Sequence, residues 1–233
     1  MRVEEALKGV PFFQDLPPES LTALGEGARL RRFSKGSHLF YQGDPGDILY
    51  IVLSGRVKTV VDSPEGRELT VNVLNPGDFV GELSILDGEP RSATGTALED
   101  TEALSLAGGT VREFLAQNPK AAMKVIEILS HKLRRATELS GDLTFLDVES
   151  RVAKKLEELF LVYGSENPIP LTQEELARMV GSTREKVNRV LNSLSRRGHV
   201  SLGHQNFEIL KPWVIANLQS GRELGEESPK LAT

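Results

Sequence analysis

Two clusters of polar residues in this 233-residue chain have the types and spacing of binding sites. In the first, Gly81-Glu82-Leu83 is followed, after a short segment, by Arg91-Ser92-Ala93. An arginine beside a hydroxyl and free backbone N–H groups offers several hydrogen-bond donors, which is the composition of a small anion site. The alternative is a surface loop in which Arg91 pairs with Glu82 or Glu89.

The second cluster lies near the C-terminus. Its members recur at three- and four-residue spacing, so in a helix they share one outward face: Arg184, Glu185, Asn188 and Arg189. A local basic face on a chain of net charge -5 is the distribution expected for contact with double-stranded DNA. Glu185 could instead cap the helix, and basic surface helices are common.

The composition excludes several other chemistries. The absence of cysteine rules out disulfides, thiolate metal sites, iron–sulfur clusters and a cysteine nucleophile. We find no nucleophile–base constellation, no His/Asp cluster with metal-ligand spacing and no Walker-type loop, so we expect neither an enzyme nor a metal site. No apolar run is long enough to span a bilayer and no signal-peptide pattern is present, which predicts a cytoplasmic protein without a membrane partner.

The first half of the chain has the pattern of a β-sandwich or barrel. Short runs rich in β-branched and aromatic residues alternate with glycine-containing turns. Val57–Asp62 and Glu68–Leu74 predict a hairpin, and residues 101–106 a last strand. Ser20 is the expected N-cap of a short preceding helix. Gly81 and Gly88 bracket a segment long enough for about one helical turn.

Residues 122–143 have the spacing of a coiled coil, with small or apolar residues in alternating steps of four and three. These residues are Ala122, Ile126, Leu129, Leu133, Ala136, Ser140 and Leu143. The pattern predicts a helix that packs on a second copy of itself, and hence a homodimer. An amphipathic helix that lies on its own domain is the alternative. Small and polar residues at Ala136, Thr137 and Ser140 leave room for a ligand.

The last third predicts a winged helix-turn-helix. Thr172 with Glu175, and Ser182 with Glu185, have the spacing of capping boxes that start two helices, with Gly181 in the turn between them. The expected core is Leu176, Val180, Val187, Leu191 and Leu194, and residues 200–202 and 207–210 predict the wing hairpin.

The predicted fold class is therefore α+β, in four segments. Residues 1–117 form a β-roll and residues 118–146 the long helix with a hinge. Residues 147–215 form the winged helix-turn-helix, with Asp147 capping its first helix. Residues 216–233 are expected to be a disordered tail.

The first cluster resembles the phosphate-binding cassette of cyclic-nucleotide-binding domains. The resemblance rests on Phe79-Val80-Gly81-Glu82-Leu83, on Arg91-Ser92-Ala93, and on turns at residues 43–47 and 54–55. It implies that Arg91 and Ser92 hold the cyclic phosphate and that Glu82 accepts from the ribose 2′-OH. Gly81, Leu83 and Ala93 complete the implied contact set.

With the helix-turn-helix included, the chain resembles the Crp/Fnr superfamily of bacterial transcription regulators, within it the cAMP receptor branch. In that branch the arginines matched by Arg184 and Arg189 read guanine and the glutamate matched by Glu185 reads cytosine, in a palindromic TGTGA-like site. Thr183 and Asn188 complete the implied DNA contacts, and Asn188 departs from the family pattern. RNA polymerase is a further implied partner.

The same resemblance implies cAMP as the allosteric effector, with its adenine at Ala136 and Thr137 of the long helix. Thr137 keeps a hydroxyl, whereas Ala136 does not. The resemblance further implies that the ligand stabilises the helix seam and reorients the second domain about residues 145–147. The alternatives are a relative with another effector or none, and a regulatory module whose winged helix binds protein.

Overall fold

Short antiparallel strands are the main regular elements in the first half of the chain, as the β-branched runs predict. The structure, a computed structural model, describes Leu7 and residues 18–163, 168–203 and 206–211. It divides into two units, residues 1–136 and 137–233. The expected tail at residues 216–233 lies outside the described residues. Among the described helices, none has the length and apolar content needed to cross a membrane.

The first unit contains eight strands, β1 Arg29–Phe33, β2 His38–Phe40, β3 Ile48–Ser54, β4 Val57–Asp62, β5 Glu68–Leu74, β6 Phe79–Val80, β7 Thr94–Ala97 and β8 Thr101–Ala107. They form two four-stranded antiparallel sheets, in the orders β1-β8-β3-β6 and β2-β7-β4-β5. The helices are α1 Pro18–Glu26, α2 Glu82–Asp87, α3 Gly108–Gln117 and α4 Pro119–Phe145, which continues into the second unit. The predicted α+β class is confirmed.

The β4–β5 hairpin has the predicted bounds, and Val57 pairs with Leu74 while Asp62 pairs with Glu68. The predicted start of α1 is wrong, because the helix already includes Pro18. Proline fits a first helical turn, where its missing N–H would have no partner within the helix. Ser20 therefore lies inside the helix instead of capping it.

Helix α4 presents two different apolar faces. Ala121 and Val125 are buried in the first unit, so the start of the helix lies on its own domain. Ile126 and Leu133, on the predicted seam, are 53% and 68% exposed. The alternative interpretation, a helix that lies on its own domain, therefore applies to the face with Ala121 and Val125, while the predicted seam is exposed in the single chain.

The second unit contains the helix-turn-helix and its wing. Its elements are α5 Val148–Tyr163, α6 Gln173–Met179, α7 Arg184–Arg196, β9 Val200–Leu202 and β10 Phe207–Ile209. All five predicted core residues are buried: Leu176, Val180, Val187, Leu191 and Leu194. Asp147 accepts from the Ser150 N–H at 2.8 Å, which confirms it as the cap of α5.

The two helices of the helix-turn-helix are capped differently. Thr172 and Glu175 form the predicted capping box at the start of α6. The predicted box at Ser182 is wrong, because Thr183 is the N-cap of α7 and accepts from the Lys186 N–H. The Ser182 N–H donates to the Ala177 carbonyl at 3.0 Å, so Ser182 still belongs to the turn that closes α6. Lys186 is the third residue of α7, and its side chain has no hydrogen-bond acceptor with which to complete a capping box.

This difference predicts unequal effects of two neighbouring substitutions. Thr183→Ala is expected to lower the free energy of unfolding by about 1 kcal/mol, because it removes a helix N-cap. Ser182→Ala is expected to change it by less than about 0.5 kcal/mol. Urea unfolding of both full-length variants, followed by circular dichroism, measures the difference. Equal losses would contradict the assignment of Thr183 as the cap.

His199 is a buried titratable group at the junction of α7 and β9. Its side chain is 8% exposed, and its Nδ1 atom has no hydrogen-bond partner among the described residues. Burial lowers the pKa of His199 below its usual value of 6.5, and the nearby cations Lys211 and Arg197 lower it further. The neutral imidazole is therefore the form that the folded second unit stabilises.

We expect the chain to lose stability as the pH falls below about 6.5. The pKa of His199 is lower in the folded than in the unfolded state, so the stability it contributes is present above 6.5 and is lost towards the lowered value. Urea unfolding at a series of pH values measures this loss, and His199→Gln should reduce it. An undiminished loss of stability in the His199→Gln variant would contradict the prediction.

Candidate functional site

Arg91 is the central residue of the first cluster. Its side chain is only 5% exposed. Nη1 donates to the Gly81 carbonyl at 2.8 Å and Nη2 to the Ile48 carbonyl at 2.7 Å. The guanidinium carbon lies 4.5 Å from the centre of the Phe40 ring. The guanidinium is therefore surrounded by neutral groups of the β-roll, namely two backbone carbonyls and an aromatic ring.

Two glycines make room for this side chain. A Cβ atom at Gly46 would lie 2.5 Å from Arg91 Nε, and one at Gly81 would lie 2.4 Å from Nη1. Gly81 also has a φ of 92°, in the left-handed region that favours glycine. Any larger residue at either position would therefore displace the arginine.

The guanidinium of Arg91 is a buried cation without a carboxylate partner. It forms no ion pair within the described residues, and its Nε atom has no hydrogen-bond partner there. The predicted alternative, a pair with Glu82 or Glu89, is therefore wrong. Burial lowers the pKa of Arg91, and the charges of Glu82, Asp47 and Asp44 offset this shift only in part. An anionic ligand would compensate this charge, so the residues present fit a phosphate group.

Glu82 begins helix α2 and is 6% exposed. Its Oε1 atom pairs with Lys132 Nζ of α4 at 2.7 Å, and Lys132 also donates to the Phe79 carbonyl at 3.3 Å. Oε2 accepts no hydrogen bond from the described residues and is available to a ligand hydroxyl. The sequence interpretation missed Lys132, although its position one helical turn before Ala136 could have indicated it.

The structure brings some of the predicted ligand residues into contact, whereas most of the others are exposed. Gly81, Glu82 and Arg91 are joined by direct contacts or adjacency. Ser92 and Leu83 are exposed and Ala93 is half-buried beside them. Ala136 and Thr137 are both exposed on α4. Among the described residues, no group of three or more histidine, aspartate or glutamate side chains could hold a metal ion.

The second cluster occupies the start and outer face of α7. Arg184, Glu185 and Arg189 are exposed, and neither arginine forms an ion pair with another described residue. Asn188 is half-buried and donates to Gln173 Oε1 of α6 at 2.7 Å.

Glu185 has a local role in addition to its place on this face. Hydrogen bonds from its own backbone N–H and from the Thr183 hydroxyl lower the pKa of its carboxyl group. The capping interpretation of Glu185 therefore has support in the free chain. The carboxylate stays exposed and ionised, so it remains available as an acceptor.

Comparison with known proteins shows which family combines these two sites. Residues 30–118 match the model of the cyclic nucleotide-binding domain, and residues 150–217 match the Crp-like helix-turn-helix domain. A CRP-like cAMP-activated global transcriptional regulator of Mycobacterium tuberculosis is 35% identical over 206 residues, 86% of this chain and 92% of the relative. The cyclic AMP receptor protein of Thermus thermophilus is 34% identical over 215 residues, 92% of this chain and 99% of the relative.

A solved structure of similar fold supports the same family. The c-di-GMP responsive global regulator CLP of Xanthomonas campestris has a TM-score of 0.74 at 25% identity, covering 83% of this chain and 99% of its own. A nucleotide-binding β-roll followed by a helix-turn-helix defines a ligand-responsive, DNA-binding transcription regulator and not an enzyme. The chain belongs to the Crp/Fnr family of such regulators, as its sequence motifs predict.

Proposed function

We propose that this chain is a homodimeric, cAMP-responsive regulator that acts in the cytoplasm on palindromic TGTGA-like DNA sites. The observation that carries the proposal is the buried guanidinium of Arg91, which has no carboxylate partner among the described residues. A cyclic phosphate carries one negative charge and compensates one cation. Arg91 and the neighbouring Ser92 hydroxyl would hold it, as charge-assisted and neutral donors.

The ribose would be recognised by Glu82. Its carboxylate is buried, and Lys132 neutralises the charge through Oε1 while Oε2 remains as an acceptor. A 2′-hydroxyl can donate to that oxygen, which a 2′-deoxyribose cannot do. The site therefore favours a cyclic ribonucleotide over an isolated phosphate ion.

The base is the part of the effector for which the sequence departs from the family pattern. The resemblance assigns adenine to Ala136 and Thr137, and only Thr137 offers a hydroxyl. Two relatives are named for cAMP, whereas the structurally similar CLP is described as c-di-GMP responsive. Cyclic-di-GMP is therefore the second candidate effector.

Titration calorimetry separates these candidates. We expect cAMP to bind with measurable heat and to raise the affinity for DNA, and cGMP and c-di-GMP to do neither. The coupling requires that cAMP binds the DNA-competent state more tightly than the other state. Binding of c-di-GMP alone would replace cAMP as the effector, and no heat with any of the three would contradict a nucleotide-dependent regulator.

The homodimer is supported by an apolar stripe along α4. Met123, Ile126 and Leu133 are 62%, 53% and 68% exposed in the single chain. Contiguous exposed apolar side chains at heptad spacing mark an interface, because their burial against a second helix removes them from water. A second copy of the chain presents a matching stripe.

We expect Leu133→Glu to convert the dimer to a monomer, because it places two like charges in a closely packed apolar seam. Sedimentation equilibrium measures the change in mass. His131→Glu adds the same charge at an exposed position outside the seam and should leave the dimer intact. A monomeric wild-type chain would contradict the proposed dimer.

DNA binding is tested by measuring affinity for a TGTGA palindrome with and without cAMP, at two salt concentrations. We expect cAMP to raise this affinity and added salt to lower it, since basic residues release counterions from DNA phosphates. No preference for the palindrome over a scrambled duplex would contradict the proposal and favour a winged helix that binds protein. RNA polymerase is the proposed partner at the promoter, and its retention by the protein–DNA complex tests this.

A further inference from the structure

Three amide side chains form a hydrogen-bonded chain between the two helices of the helix-turn-helix. Asn188 and Asn192 lie one turn apart on α7, and Asn192 Nδ2 donates to Asn188 Oδ1. Asn188 Nδ2 donates in turn to Gln173 Oε1 at 2.7 Å. Gln173 is the first residue of α6, so the chain ties the beginning of that helix to the DNA-facing side of α7.

These bonds use only part of the hydrogen-bonding capacity of Asn188. An asparagine amide has two N–H donors and an oxygen with two lone pairs. Asn192 occupies one lone pair and Gln173 receives one N–H, so one donor and one acceptor remain. Adenine presents N7 as an acceptor and N6–H₂ as a donor in the major groove, and asparagine pairs with both.

The location of Asn188 makes this remaining pair relevant to DNA. Asn188 is half-buried, next to the exposed Arg189 and one turn after the exposed Arg184. It therefore lies on the same face as the residues proposed to read guanine. A side chain on this face that keeps one donor and one acceptor in a fixed plane has the chemistry of an adenine reader.

We infer that Gln173 is a positioning residue for DNA recognition, which holds Asn188 in the orientation that selects adenine at one position of each half-site. The inference rests on the proposed function, because it requires α7 to enter the major groove. A free asparagine loses the freedom of its two side-chain torsions when it binds a base. The bonds to Gln173 and Asn192 impose that restriction before DNA arrives, so less affinity is lost on binding.

The test compares base preferences at every position of the half-site. Affinities of the full-length protein, with cAMP present, are measured on duplexes that carry each of the four bases in turn. The variants are Asn188→Ala, Gln173→Met and Gln173→Glu. Methionine keeps the length of the side chain but removes the acceptor, whereas glutamate keeps the acceptor and adds a negative charge.

We expect Gln173→Met to lower the preference for adenine about two- to tenfold at a single position, the effect of releasing one side chain. Asn188→Ala should remove the preference at that same position, and the double variant should resemble Asn188→Ala. Gln173→Glu should retain the preference while binding all duplexes more weakly, because it adds a negative charge beside the proposed DNA-reading face, and DNA is itself an anion. A purely structural role of Gln173 would instead weaken binding to all duplexes equally and leave the base preference unchanged.

An unchanged preference in Gln173→Met would overturn the inference, as would additive effects in the double variant. In either case the proposed function stands if Arg184→Ala weakens binding to the palindrome much more than binding to a scrambled duplex. If the wild-type protein discriminates at no position, the proposed function fails, and the inference fails with it.

Discussion

Arg91→Gln is expected to lower the affinity for cAMP roughly 10- to 150-fold, the effect of losing a charge-assisted hydrogen bond of about 1.5–3 kcal/mol. Glutamine keeps a donor but not the charge that compensates the phosphate. The guanidinium is held by the Gly81 and Ile48 carbonyls and the Phe40 ring, and the nearby Lys132 is already paired with Glu82. Calorimetry on the full-length variant measures the loss.

The matched control is Arg56→Gln, because Arg56 is a partly buried arginine of the same unit that pairs with Glu99 at 3.1 Å. This variant should bind cAMP like the wild type. Thermal unfolding without ligand should show that Arg91→Gln remains folded, and the stabilisation by cAMP should be lost. Wild-type affinity in the folded Arg91→Gln variant would remove Arg91 from the phosphate site and with it the main support for a nucleotide effector.

Arg184→Ala is expected to weaken binding to a TGTGA palindrome roughly 5- to 150-fold for each half-site, since a bidentate arginine–guanine contact contributes about 1–3 kcal/mol. The side chain is exposed in the first turn of α7 and forms no ion pair with the described residues. It is therefore available to a base edge without breaking an internal contact. Titration of labelled duplexes with the full-length protein measures the effect.

Arg184→Ala should affect specific and non-specific DNA binding differently. Affinity for a scrambled duplex should fall much less, because base contacts contribute to specificity and phosphate contacts to general attraction. Arg67→Ala, in the exposed turn between β4 and β5, removes the same charge from the first unit and should leave both affinities unchanged. Equal losses on both duplexes would assign Arg184 to the phosphate backbone instead of guanine.

Local patterns predicted the elements whose folding depends on nearby residues. Alternating β-branched residues around Gly66 specify the β4–β5 hairpin, and Thr172 with Glu175 specifies the start of α6. The apolar spacing of α7 predicted its buried face at Val187, Leu191 and Leu194. In each case the determining interactions lie within one hairpin or one helix, so the local sequence pattern carries the information.

The exact helix starts depended on hydrogen bonds that residue type alone does not specify. Ser182 and Thr183 are both suitable caps by type. In the structure the Ser182 N–H donates to the Ala177 carbonyl of α6, and the Thr183 side chain accepts from the Lys186 N–H. Leucine and isoleucine at heptad spacing predicted an apolar seam on α4. Only the structure showed that a neighbouring face, with Ala121 and Val125, packs on the first unit.

For the candidate sites, the sequence alone predicted which residues would carry the chemistry: Glu82 and Arg91 beside glycines, and two arginines on one helix face. The contacts of these residues became visible only in the folded chain. Lys132, distant in sequence, neutralises Glu82, and Gln173 from the preceding helix holds Asn188. Arg91 has backbone carbonyls where a carboxylate was the alternative. Such contacts join segments far apart in the chain, and their energies depend on burial, which no local pattern specifies.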